Sequence, residues 1–93
     1  MDRRKKHVDA DALRKLRAAF YDKIDANELT LFDAIKEMRK VANLTQPEFA
    51  DFSGVSVNII KDIETNKGNP TLKTLRQLGS FFGLQLAYIR KRN

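Results

Sequence analysis

The sequence predicts an all-α domain of five helices that ends in a short strand. Three observations carry that expectation. Apolar residues recur at three- and four-residue intervals from Leu13 to Phe82, the spacing of a buried helix face. Each run opens on a side chain able to cap a helix and closes at asparagine or glycine. Only beyond Gly83 does the spacing change, to an alternation of two, which is the period of a strand.

The first helix is expected over about Asp9 to Ala26, with Leu13, Leu16, Phe20 and Ile24 forming one seam. Asp9 or Asp11 can cap it, and Asn27-Glu28 interrupts it. Thr30 with Asp33 opens the second in the manner of a capping box. Its apolar face is Leu31, Ala34, Ile35 and Met38, Arg39 and Lys40 suit the dipole of its last turn, and Ala42-Asn43 ends it. In "TQPE", Thr45 caps, Pro47 sits where a missing N–H costs nothing, and Glu48 can reach back to the cap amide. That third helix buries Phe49 and Ala50 and stops at Gly54, which adopts left-handed backbone without penalty. Ser56 caps the fourth helix, whose inward residues are Ile60 and Ile63, and Asn66 and Gly68 close it. "NPT" at 69–71 turns into a fifth helix carrying Leu72, Leu75, Leu78 and Phe82 and ending at Gly83. In "LQLAYIRKR", Leu84, Leu86 and Tyr88 then alternate with Gln85, Ala87 and Ile89. A strand with no partner in its own chain is a liability unless another molecule completes it.

Ninety-three residues make one domain, of a size at which a core is marginal and oligomerisation often adds stability. Three parts are expected: a basic arm and N-terminal helix over 1–29, a central unit over 30–83, and a C-terminal strand and basic tail over 84–93. There is no cysteine, so disulfides and thiolate metal sites are excluded. The basic N-terminus lacks a following apolar region and does not read as a secretory signal. No apolar run approaches the ~20 residues that span a membrane, so a cytoplasmic, nucleoid-associated protein is expected. The net charge of +6 favours an anionic partner, most often nucleic acid. It is spread as +2 over residues 1–29 and +4 over residues 30–93, which alone is equally well a solvated surface.

The stretch "LTQPEFADFSGVSVNIIKDIETNKGNP" adds specificity. Thr45-Gln46 opens a helix, Ala50 lies four residues before Gly54, Ile60 lies six after it, and Ile63-Glu64 closes the next helix. This pattern resembles the helix-turn-helix of the Cro/repressor (Xre) family over about Leu31 to Gly83. Ala50 must be small where two helices cross, and Gly54 must bend a turn of three or four residues. The resemblance implies a lambda-repressor-like fold with an extra N-terminal helix, and a recognition helix over about 56–64 in a major groove about 12 Å wide.

It also implies roles. Thr45 and Gln46, at a helix N-terminus, would meet phosphate. Ser56, Val57 and Asn58 would face base edges, Asn58 pairing with adenine and Val57 packing on a thymine methyl. Lys61 would reach a base or a phosphate, and Asn66, Lys67 and Asn69 would hold backbone. Arg39 and Glu64 fall where the family places an ion pair. Asp62 departs from the pattern, because a carboxylate there can accept from cytosine but more often repels backbone.

Other residues have plainer readings. Phe52 either turns inward by a small shift of register or faces a partner, while Ser53 takes a usually apolar place. Phe81 beside Phe82 poses the same choice. His7 and "RRKK" read as a solvated arm, and the Leu13–Ile24 seam as packing or dimerisation. Without cysteine, a second histidine or a glycine-rich phosphate loop, neither catalysis nor a cofactor or metal is expected. Two functions follow. The first is a homodimeric, sequence-specific regulator, a repressor on a near-palindromic operator, joined through Phe81, Leu84, Leu86, Tyr88 and Ile89. The alternative is an antitoxin resembling the HipB type, which neutralises a kinase toxin of the HipA type.

Overall fold

Asparagine in left-handed backbone marks three of the chain's breaks: Asn27 (φ 59°), Asn43 (φ 60°) and Asn66 (φ 59°). Asparagine tolerates this region better than other side chains because its amide bonds locally. Between these breaks and the glycines, the computed structural model describes residues 9–91. They form α1 (Ala10–Asp25), α2 (Leu31–Ala42), α3 (Gln46–Ser53), α4 (Val57–Glu64) and α5 (Leu72–Ser80). The arm with "RRKK" and His7 lies outside the described residues.

Every helix begins on a side-chain cap. Asp9, rather than Asp11, accepts from the amides of Asp11 and Ala12. Thr30, Ser56 and Thr71 cap α2, α4 and α5. At α3 the capping box is complete, with Glu48 N donating to Thr45 Oγ1 at 3.2 Å and Thr45 N to Glu48 Oε1 at 2.9 Å. Such caps satisfy amides that the helix leaves bare and are each worth about 1 kcal/mol.

The core lies between α2, α4 and the short helices around them. Ile35, Met38 and Val41 of α2 meet Ile60 and Ile63 of α4, with Phe49, Leu75 and Leu78 closing the remaining sides. Phe49, Ile60 and Leu78 are fully inaccessible. The α1 seam contributes less than its spacing predicts. Phe20 is buried, Tyr21 and Ile24 pack partly, and Leu16 is 42% exposed. Residues 10–19 are exposed except for half-buried Leu13, so α1 joins the core only through its second half. Tyr21 secures that half by donating its hydroxyl to the Phe82 carbonyl at 2.8 Å.

The ends of apolar runs also differ from expectation. Leu31 and Leu72, the first residues of α2 and α5, are exposed and line an open groove beside the tail. Helix α5 stops at Ser80, and Phe82 packs from the following turn, edge-on to Phe20 with ring centroids 6.2 Å apart. Phe52 stays half exposed and rests on Phe81, centroids 4.7 Å apart, while Ser53 is buried.

The expected C-terminal strand does not form among the described residues. A strand exists through a ladder to a neighbour, and this chain end lies against helices. Its alternation serves packing instead. Leu84 and Leu86 sit half-buried against the core, whereas Tyr88 and Ile89 are exposed. Gly79 lets the tail approach: a Cβ there would lie 3.3 Å from the Leu84 carbonyl oxygen.

Candidate nucleic-acid interface

The geometry of the site begins at the turn between α3 and α4. Gly54, at φ +76°, donates its amide to the Ala50 carbonyl at 2.9 Å and ends α3. Buried Ser53 accepts from the Val55 amide at 3.2 Å, and Val55 itself is buried. The next residue, Ser56, caps α4, its hydroxyl accepting from the Ile59 amide at 3.2 Å. With Ile60 and Ile63 pointing inward, the helical period turns Asn58, Lys61, Asp62 and Thr65 to the opposite side. All four are exposed, and Val57 is half-buried at the leading edge. Past the helix, Asn66, Lys67 and Asn69 are exposed, and the Lys67 amide is held by the Asp62 carbonyl at 2.7 Å. Asp62 shares the outward side with Asn58 and leans on Gly68, where a Cβ would sit 3.1 Å from its own.

At the other end of α4, Arg39 grips Glu64 through two bonds, Nε to Oε2 at 2.6 Å and Nη2 to Oε1 at 2.8 Å. Its third bond, Nη1 to the Leu44 carbonyl at 2.9 Å, ties the α2–α3 link into the same group. Gln46 Nε2 adds a donor to Glu64 Oε1 at 3.1 Å. Burial pushes the Glu64 carboxyl up, but the bonds from Arg39 and Gln46, with the charges of Arg39 and Lys36, outweigh it. The net direction is down, and the carboxylate stays ionised. Bonding to Glu64 raises Arg39 against the opposing effect of burial.

The expected contact residues thus fall into three groups. Ser56, Asn58 and Lys61 share the start and outer side of α4, with Val57 at its edge. Asn66, Lys67 and Asn69 form the loop beyond it. Thr45 and Gln46 lie at the start of α3, next to the Arg39–Glu64 pair. The five tail and α5-end residues are separate: Phe81 pairs with Phe52, Leu84 and Leu86 pack inward, and Tyr88 and Ile89 face solvent. Two features carried no sequence signal. One is the bond from Gln46 to Glu64. The other is Gln77 of α5, whose Nε2 donates to the Ser53 carbonyl.

A helix pair joined by a tight turn, the second helix pinned at its far end, is the arrangement of a Cro/repressor-type helix-turn-helix. The chain belongs to that family: the model described as "Helix-turn-helix" matches residues 35–89. The chain is also similar to the immunity repressor protein of Bacillus phage phi105, with 34% identity over 61 residues. That match covers 66% of this chain and 42% of the relative, so it spans less than half of the relative's length. No solved structure matches significantly.

Proposed function

We propose that the protein binds double-stranded DNA sequence-specifically and regulates transcription as a repressor, with α4 in the major groove. The observation that carries this reading is the outward side of α4, where Asn58 and Lys61 stand exposed while both helix ends are held. Asn58 presents the amide geometry that pairs with adenine N6 and N7, and Val57 offers an apolar contact for a thymine methyl. Around them, Lys67, Asn66, Asn69 and the α3 N-terminus supply phosphate contacts of the kind that set register without reading sequence. Gln46 retains a second amide hydrogen for phosphate beside the one given to Glu64. The immunity repressor likeness and the net charge of +6 support the same reading. No C-terminal strand forms among the described residues, and the regulator is the reading carried forward.

The test is selection of bound duplexes from a random pool, followed by titration of Asn58→Ala. The variant should lose roughly 1–3 kcal/mol on the selected site and relax preference at one base pair. Equal loss on selected and random duplexes would refute direct readout by Asn58.

A two-fold dimer is the second part of the proposal. A groove of about 400 Å³ between Leu31, Leu72 and the tail at Leu86 to Tyr88 leaves apolar surface uncovered in one chain. A second copy seated there would make an isologous contact and set two recognition helices roughly 34 Å apart on a near-palindrome. Tyr88→Asp, in the lining of that groove, should then sediment as a monomer and bind a palindrome no better than a half-site. If the unsubstituted protein is already monomeric at micromolar concentration, the dimer is wrong.

A further inference from the structure

We propose that Gln77, on α5, is a positioning residue for the recognition helix, acting through the turn between α3 and α4; this rests on the DNA-binding reading. The turn is short, and its polar groups are almost all assigned. Ser53 Oγ holds the Val55 amide, the Gly54 amide holds the Ala50 carbonyl, and Ser56 Oγ holds the Ile59 amide. The Ser53 carbonyl belongs to a residue only 2% exposed and would be costly to leave bare. Gln77 Nε2 satisfies it from a different helix. The same nitrogen stands 3.1 Å from where a Gly54 Cβ would be, so the amide closes directly over the left-handed residue.

The consequence lies in how α4 is held. Its C-terminal end is fastened to α2 by the Arg39–Glu64 pair. Its N-terminal end carries Ser56, Val57 and Asn58, and its approach is set by the turn. Among the described residues, Gln77 is a side chain from outside the helix pair that bonds to that turn's backbone. A small rotation of the turn would displace Asn58 more than residues further along α4, because Glu64 acts as the fixed end. Sequence discrimination therefore depends on Gln77 more than affinity for phosphate does.

Two variants separate this from a general role in folding. Gln77→Met keeps length and loses the donor; Gln77→Lys keeps a donor. Each is titrated with the duplex selected from a random pool and with a scrambled duplex of the same composition. Amide hydrogen exchange at Val55 is read on the DNA-free protein. Gln77→Met should lower the selected-to-scrambled ratio, leave scrambled binding unchanged, and speed exchange at Val55, whose turn loses the bond to the Ser53 carbonyl. Gln77→Lys should restore most of the ratio. An unchanged ratio, an equal fall on both duplexes, or unchanged exchange at Val55 would overturn the assignment. If the unsubstituted protein prefers no duplex, the DNA reading fails, and the exchange measurement still decides whether Gln77 holds the turn.

Discussion

Removing Arg39 should damage the fold more than removing Glu64, although the two share the same bonds. The Glu64 side chain is 6% exposed and the Arg39 side chain 21%. Arg39→Met would leave a carboxylate out of reach of water, with Gln46 Nε2 as its remaining short-range donor. Stripping one partner from a buried pair costs about 3–5 kcal/mol. Glu64→Met leaves a guanidinium that keeps its bond to the Leu44 carbonyl and some contact with water. The lower figure of about 2–3 kcal/mol therefore applies. With both replaced, no uncompensated charge remains, and the double variant should be more stable than Arg39→Met alone. Urea unfolding at neutral pH with the linear extrapolation measures all four corners of this cycle.

The pair also sets an acid limit. Because the Glu64 carboxyl is lowered in the folded state, its contribution is present above the ordinary carboxylate value. It is lost as pH falls through the folded one. That loss lies below the usual carboxylate range and should shrink in Arg39→Met, where burial is opposed only by Gln46 and Lys36. Costs that add to within about 0.5 kcal/mol, or a greater loss for Glu64→Met than for Arg39→Met, would refute the reasoning.

Further expectations follow from single residues. Lys67→Ala should weaken selected and random duplexes alike and reduce the slope of log K against log salt by about one, measured by titration from low to moderate salt. Gly54→Ala should cost about 1–2 kcal/mol for a side chain in left-handed backbone. A further penalty arises because its Cβ would meet Gln77 Nε2 at 3.1 Å, and thermal unfolding reads the sum. Phe49→Ala, at a fully buried site, should cost about 3–5 kcal/mol by the same assay. Truncation after Gly83 should do more than remove a dimer contact, since Leu84 and Leu86 pack on the core. The shortened chain should therefore unfold at lower temperature even as a monomer.

What could be read from the sequence alone was local. Helix starts were legible because a cap is a bond between residues two or three apart, as at Asp9, Thr30, Thr45 and Ser56. Ile60 and Ile63 were legible as inward because a helix period converts spacing into direction. The Arg39–Glu64 pair came through the family pattern rather than through spacing. The rest depended on what each surface met in space. The seam of α1 has the spacing of a buried face, yet Leu16 stays exposed, because nothing among the described residues covers that part of the helix. The tail has the period of a strand, yet Leu84 and Leu86 rest on helices, because a ladder needs a second extended segment. Gln77 gave no signal at all, since its bond to Ser53 spans 24 residues. Only the tertiary structure brings α5 against the turn, and with it the Gln77 amide to the Ser53 carbonyl.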